Sequence, residues 1–147
     1  MHVFITNSER QVVGTVAFSA YLNHDVTNLG PDHTIQLQGV VINEGNAYNP
    51  HTGVFTVPLD GVYFLTFTAE DYRPHRELLD IVVDGQMISS TVFGQNIDHY
   101  VGGNTVLAGL RKGQSVWVAV DSSESTGGSL QGDTGRYTTF SGFYLFE

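Results

Sequence analysis

The side chains of this 147-residue chain that could act as acids, bases, nucleophiles or metal ligands are scattered along it. Six histidines stretch from His2 to His99, and no two occupy positions i and i+2, which would place them on one face of a strand. The chain has no cysteine and contains no nucleophile elbow, zinc-protease motif, phosphate-binding loop or dinucleotide fingerprint. The sequence therefore predicts a protein that binds a partner and is not an enzyme.

Acidic side chains offer the best prospect of a metal site. Asp121 and Glu124 lie in an acidic loop after an apolar segment, and carboxylate and carbonyl oxygens are the ligands that calcium prefers. The D-x-D-x-D-G spacing of a self-contained calcium loop is absent. Asp80 and Asp84 share one face of another predicted strand, for which a solvated face is the favoured interpretation. Calcium is thus a hypothesis that rests on Asp121 and Glu124.

Three segments between predicted strands carry side chains suited to ligand binding: 72–76, 94–100 and 121–136. The first places two arginines beside aromatic and imidazole rings, so a guanidinium could pair with a carboxylate or phosphate while a ring covers a sugar face. A charged turn that only keeps two strands soluble is the alternative. The candidate ligand-binding residues are Tyr72, Arg73, His75, Arg76, Asn96, His99 and Tyr100.

The charge balance excludes several partners. Fifteen acidic and six basic side chains give a formal net charge of -9, and binding to nucleic acid or to an anionic membrane surface needs clustered cations. No apolar run approaches the roughly 18 residues of a spanning helix, so membrane insertion is not expected. Hydrophobic residues make up 41% of the chain and charged residues 14%, a composition typical of a compact folded domain.

The elements that must position these loops are predicted to be strands. Seventeen glycines punctuate short apolar runs, and no window of 12 or more residues keeps apolar side chains at helical spacing. This spacing indicates an all-β sandwich or barrel. About ten strands are predicted, with two of the short early segments merging, near residues 12–20, 34–37, 39–42, 46–48, 53–57, 61–71, 77–84, 87–93, 100–110, 114–121 and 136–146.

Two predicted strands are apolar on both faces, whereas 78–84 alternates and is expected to have one wet side. In segments 62–67 and 140–146, aromatic side chains point to both sides. A two-layer sandwich covers only one face of each sheet, so the second apolar face indicates self-association, unless a loop folds over it. The predicted interface and core residues are Phe64, Phe140, Phe143, Tyr144 and Phe146.

Trp117 is the single tryptophan of the chain. It lies in an apolar segment whose alternation places Val116, Val118 and Val120 on the opposite face. Core or interface packing is the favoured interpretation, and stacking on a ligand is the alternative.

The segment from Leu37 to Phe67 resembles the signature of the C1q globular-head family. The matching positions are Asn43, Tyr48, Phe55, Gly61, Tyr63 and Phe67, while Leu37 and Leu65 stand where the family usually has Phe. Segments 16–20, 48–55 and 139–143 also resemble the first strand, the central turn and the closing strand of the family. The resemblance covers the chain from about residue 14 to the end.

This resemblance implies a ten-stranded jelly-roll sandwich of the C1q/TNF type over residues 14–147, after an N-terminal extension of residues 1–13. It also implies a secreted homotrimer, although residues 1–11 lack the apolar core of a signal peptide. Because residues 1–13 contain no collagen-like repeat, complement activation is not carried over.

Free-standing heads of this type, as in bivalve molluscs and other invertebrates, suggest a specific role. We expect a lectin-like pattern-recognition protein of innate immunity that binds glycan or microbial surface ligands. The alternative is a secreted cytokine-like or synaptic-organiser-like ligand of a protein receptor.

Overall fold

The computed structural model describes residues 16–71, 76–93, 99–123, 128–132 and 134–147 of the chain. All regular structure in these residues is β, as the sequence predicts, and no helix that could cross a membrane occurs among them. The twelve strands of this described part are β1 (Ala17–Tyr21), β2 (Val26–Leu29), β3 (Gly39–Glu44), β4 (Tyr48–Asn49), β5 (Val54–Thr56), β6 (Gly61–Asp71), β7 (Glu77–Val83), β8 (Gln86–Phe93), β9 (Tyr100–Leu110), β10 (Ser115–Val120), β11 (Gly128–Leu130) and β12 (Thr139–Phe146).

Ten of these strands form two five-stranded antiparallel sheets that enclose the core. Sheet 1 has the order β3-β1-β12-β6-β9, and sheet 2 has the order β4-β5-β10-β7-β8. Strands that pair in space are distant in the chain, as β1 with β12 and β6 with β9, which is typical of a jelly roll. The predicted ten-stranded sandwich is confirmed, and β2 and β11 add a separate two-stranded ribbon.

Stacked aromatic rings fill the centre of the sandwich. Phe18 of β1 lies 4.6 Å from Phe55 of β5 and 5.0 Å from Phe140 of β12, measured between ring centroids. Tyr63 of β6 meets Phe55 edge-on at 5.8 Å. All four rings are buried, so this cluster joins the two sheets by apolar burial and by favourable ring geometry.

The segment that resembles the family signature is a folding unit. Asn43 donates its amide N–H to the carbonyl of Tyr48 at 2.8 Å and accepts the N–H of Tyr48 at 3.2 Å. The Tyr48 hydroxyl donates to the carbonyl of Leu37 at 2.7 Å, which satisfies a buried polar group. Gly53 has φ +80, and a Cβ there would lie 2.5 Å from the carbonyl oxygen of Ile35, so this turn requires glycine.

The strand prediction is wrong for 34–37 and omits two short strands. Residues 34–37 make only a bridge between Thr34 and Ala119, although Ile35 and Leu37 are buried. The N–H of Ile35 also donates to the carbonyl of Val118 at 2.8 Å, so this segment lies along the edge of β10 without forming a full strand. The omitted strands, β2 and β11, have only four and three residues, too few to show a period of two.

The expectation of a wet side on strand 78–84 is also wrong. β7 is a central strand of sheet 2, and Asp80, on its outward face, is only 5% exposed. Asp80 is flanked on this face by Ser90 and Asp121, and it makes a hydrogen bond with each of them. Asp84, by contrast, is exposed in the β7–β8 turn.

Candidate functional site

The face of sheet 1 that points away from the core carries an exposed apolar row. The strand register aligns Ala17, Phe143, Phe64 and Leu107 across β1, β12, β6 and β9. The rings of Phe64 and Phe143 stack with centroids 5.0 Å apart. Phe143 is 40% exposed and Leu107 is 59% exposed, so this row is available for contact with another molecule.

A row of hydroxyl groups runs beside the apolar row. Ser19 and Ser141 share a hydrogen bond of 2.7 Å between β1 and β12, and Thr66 and Thr105 share one of 2.8 Å between β6 and β9. Because these hydroxyls pair with each other, the polar groups of the face are largely satisfied within the subunit. The outward face of sheet 1 therefore combines an exposed apolar row with hydroxyls that are paired among themselves, which suits contact with a protein surface.

The five residues predicted for the interface and core are divided between two faces. Phe64 and Phe143 lie on the outward face, and Phe146 is exposed at the end of β12. Phe140 is fully buried in the core. Tyr144 is half-buried and packs edge-on against Tyr63 at 5.4 Å, on the core side. The division follows from the strand period of two, which sends alternate residues of β12 to opposite faces.

The flanks of all three predicted binding segments meet at one end of the sandwich, which we call the loop end. The register pairs Asp71 with Tyr100 and Glu77 with Phe93, and Asp121 donates its N–H to the carbonyl of Leu78 at 2.9 Å. Arg76, His99, Tyr100 and Asp121 therefore belong to the same end. The other candidates lie outside the described residues: Tyr72, Arg73, His75, Asn96 and Glu124.

His99 and Tyr100 are exposed at the loop end and have polar groups behind them. Nδ1 of His99 lies 2.8 Å from Oε1 of Glu70 and 3.1 Å from Oε1 of Gln131. The His99 side chain is 62% exposed, so most of the ring faces solvent. Glu70 and Gln131 orient an imidazole that can still donate or accept a hydrogen bond from outside.

Buried carboxylates beneath the loop end were missed by sequence reasoning. Asp71 and Glu77 are buried and flank segment 72–76 on either side. Ser129 of β11 donates its backbone N–H to Oε1 of Glu77 at 2.7 Å and its hydroxyl to Oδ1 of Asp71 at 3.3 Å. Acidic residues are usually on the surface, so nothing in the residue types themselves predicts that these two are buried. The only sequence signal was that both adjoin a predicted binding segment.

The calcium site predicted from Asp121 and Glu124 stays a prediction, because Glu124 lies outside the described residues. Oδ1 of Asp121 already accepts the N–H of Ser123 at 2.9 Å and the hydroxyl of Ser123 at 2.6 Å. These bonds, the hydroxyl first, and a hydrogen bond with Asp80 hold the pKa of Asp121 below its ordinary value. Across the described ranges no group of three His, Asp or Glu is arranged to hold a metal ion.

An open groove of about 600 Å³ crosses the outward face of sheet 2. We call it the outer groove. It is lined by acidic side chains at one end and apolar ones at the other, chiefly Asp32, Asp80, Asp121, Trp117, Val82 and Met87. Trp117 is half-buried there, with Val116 and Val118 in the core on the opposite face. The alternation around Trp117 is thus as predicted, but its side chain lines a groove and does not pack in the core.

Asp80 has an unusual environment within this groove. The pKa of its carboxyl is raised to about 6, chiefly by burial. A hydrogen bond from Ser90 acts to lower this pKa, whereas a hydrogen bond with Asp121 and the charges of Asp121 and Asp32 act to raise it. One oxygen, Oδ1, is buried and has no hydrogen-bond partner. Asp80 and Asp121 therefore form a pair in which the proton is held on Asp80 below about pH 6.

We predict that Asp80→Asn stabilises the protein at pH 7.5. The pKa of Asp80 is higher in the folded chain than the roughly 3.9 of an unfolded one, so its contribution to stability is present at pH 4 and lost as the pH rises through about 6. Asparagine mimics the protonated acid and should raise the free energy of unfolding by about 1–2 kcal/mol at pH 7.5, with little gain at pH 4.

Thermal unfolding of both proteins across this pH range measures the difference. Glu147→Gln removes one charge from an exposed residue outside the outer groove and serves as the control. The ionisation assigned to Asp80 would be contradicted by a gain in stability that is the same at pH 4 and pH 7.5, or by an equal gain in the control.

The described residues form a two-sheet jelly roll with an exposed apolar sheet face. The C1q domain model matches residues 17–145, and the chain belongs to this family. As a member, it is a binding domain and not an enzyme.

Two relatives illustrate the similarity. The chain is 32% identical over 137 residues to Complement C1q tumor necrosis factor-related protein 3 of Homo sapiens, covering 90% of this chain and 52% of the relative. It is 33% identical over 138 residues to Multimerin-1 of Mus musculus, covering 90% of this chain and 10% of the relative. The chain thus spans about half the length of the first relative and a tenth of the second.

Solved structures share the fold at low sequence identity. The globular domain of zebrafish Complement 1qA protein superposes with a TM-score of 0.65 at 19% identity, covering 90% of this chain and 98% of that one. The Eiger TNF of S. frugiperda superposes with a TM-score of 0.70 at 13% identity, covering 91% of this chain and 94% of that one. The C1q/TNF jelly roll predicted from the sequence is therefore confirmed.

Proposed function

We propose that this protein is a secreted homotrimer that recognises glycans on microbial surfaces in innate immunity. The observation that carries the proposal is the exposed apolar row of Phe64, Phe143 and Leu107 on a sheet face without cover in the described subunit. Contact with other copies of the chain would bury this row and remove its apolar surface from water, which is favourable. We infer closed symmetry with three copies, and secretion, from the similarity to C1q/TNF-type relatives.

The loop end supplies the recognition surface in this proposal. Tyr100 and His99 are exposed rings, and Glu70 and Gln131 orient the imidazole of His99 so that it can bond to a ligand. Sugar hydroxyls bond to such groups, while an aromatic ring covers the apolar face of a sugar. Asp121 interacts with Arg76 and offsets part of its charge, which favours a neutral glycan over an anionic one. Three copies of a weak site would raise the overall affinity.

Glycan binding by the loop end predicts a specific loss in the double variant His99→Ala, Tyr100→Ala. Removing one hydrogen-bonding ring and one stacking ring should weaken binding to a neutral glycan by about tenfold to a hundredfold. A glycan array on the purified protein identifies the ligand, and surface plasmon resonance measures the change. His51→Ala, which alters an exposed histidine outside the loop end, should bind as the parent does. An array with no glycan hits, or equal losses in both variants, would count against the proposal.

A protein receptor is the second candidate function. The specific observation is the similarity to a tumor necrosis factor-related protein and to the Eiger TNF fold. Binding to target cells separates the two functions. Glycosidase treatment of the cells should abolish binding if glycans are recognised, whereas protease treatment alone should abolish it if a receptor is recognised.

A further inference from the structure

We propose that the outer groove is a second binding site, for a small organic cation that carries an ammonium or guanidinium group on an apolar chain. The groove lies on the outward face of sheet 2, whereas the proposed glycan site uses residues at the start of β9 in sheet 1. The inference goes beyond the proposed function and does not depend on it.

The apolar half of the groove is built by neighbouring strands. The register places Trp117 of β10 opposite Val82 of β7, and Val82 opposite Met87 of β8. Met87 is 55% exposed and Trp117 is half-buried, so both present apolar surface to the groove. The volume of about 600 Å³ is that of a small-molecule site. This half would hold an alkyl chain or an apolar ring.

The acidic half of the groove has a charge complementary to that of a positive group. Asp80, Asp121 and Asp32 line it together. Asp80 is more than nine-tenths buried, and its Oδ1 has no hydrogen-bond partner, while its other contacts are with Ser90 and Asp121. Buried carboxylate oxygens without a donor are rare in folded proteins. An ammonium or guanidinium group at this end of the groove would offset the clustered negative charge.

A metal ion fits this arrangement less well. Within the described residues no three such carboxylates are arranged for metal binding, and tryptophan, valine and methionine offer nothing to a hard cation such as calcium. The charged groups around Asp80 are Asp121 and Asp32, with Arg76 acting on Asp121 from the start of β7. An organic cation uses both halves of the groove, and this is why we favour it.

Trp117 makes the test direct, because the only tryptophan of the chain lies in the groove. Its fluorescence is followed during titration with n-hexylammonium, n-hexanol, methylammonium and calcium at pH 7.5. We expect hexylammonium to bind at least about tenfold more tightly than the other three, since only it pairs a charge with an apolar chain. Its affinity should fall below pH 6, where the Asp80–Asp121 pair holds a proton that the cation must displace.

Substitutions in the acidic half and in the apolar half of the outer groove test which part of the ligand each half binds. Asp80→Asn should weaken hexylammonium by about tenfold to a hundredfold and leave hexanol unchanged, whereas Glu147→Gln should change neither. Met87→Ser should weaken the binding of hexylammonium and leave the binding of methylammonium unchanged.

The proposal is overturned if no cation perturbs the fluorescence of Trp117, if hexanol or calcium binds as tightly as hexylammonium, or if Asp80→Asn binds hexylammonium as the parent does. Glycan binding is measured separately, so either proposal can fail alone.

Discussion

Replacing Phe143 by Asp is expected to break the proposed trimer into monomers. Phe143 stacks on Phe64 in the outward face of sheet 1, and burying a carboxylate there without a partner would cost several kcal/mol, about 3–5 by comparison with other unpaired buried charges. In the separate subunit, position 143 is 40% exposed, so the new charge can reach water and the fold should survive. Light scattering should change from three times the 16.1 kDa subunit mass to one.

Val92→Asp is the matched control for this experiment. Val92 is an exposed apolar residue of β8, on sheet 2, so the same charge is added to the opposite side of the subunit. This variant should keep the mass of the parent. A parent protein that is already monomeric at micromolar concentration, or a control that dissociates as Phe143→Asp does, would contradict assembly through sheet 1.

Replacing Phe55 by Ala is expected to cost about 3–5 kcal/mol in the free energy of unfolding. Phe55 is fully buried, stacks on Phe18 at 4.6 Å and meets Tyr63 edge-on, so its removal leaves a cavity between the two sheets. Domains of this kind are usually stable by only about 5–15 kcal/mol, and the loss is therefore a large part of the total. Urea denaturation at one fixed protein concentration measures it, because assembly makes stability depend on concentration.

Ile88→Ala provides the comparison for Phe55→Ala. Ile88 is an exposed residue of β8 with little packing to lose, and such surface substitutions usually change stability by less than about 0.5 kcal/mol. If Phe55→Ala costs less than about 1 kcal/mol, the stacked aromatic cluster is not the centre of the core.

Most of the fold could be predicted from local patterns in the sequence. Long strands such as β6 and β9 are apolar-rich segments bounded by turn signals, and their predicted bounds agree with the structure. The spacing of Tyr48, Phe55 and Tyr63 indicated the family and its core. Short strands such as β2 and β11 could not be found, because their existence depends on pairing with a distant segment.

The candidate sites could be predicted only in part. Sequence reasoning selected the segments that hold His99, Tyr100 and Asp121, but not their meeting at one end of the sandwich. The outer groove was not foreseen at all. Asp80 was expected on a wet face, and Trp117 in the core or an interface, because nothing near them in the chain shows that both line one groove with Asp121 and Asp32.

The sequence alone determined the properties that depend on near neighbours: β structure, the side of each strand that a residue occupies, the acidic charge and the lack of catalytic motifs. Tertiary structure decided which strands pair, which acids are buried and which apolar faces stay exposed. Strand pairing in a jelly roll joins residues that are far apart, as Ser19 joins Ser141 across 122 positions. Register over such distances is set by the packing of the whole core, and no local pattern contains it.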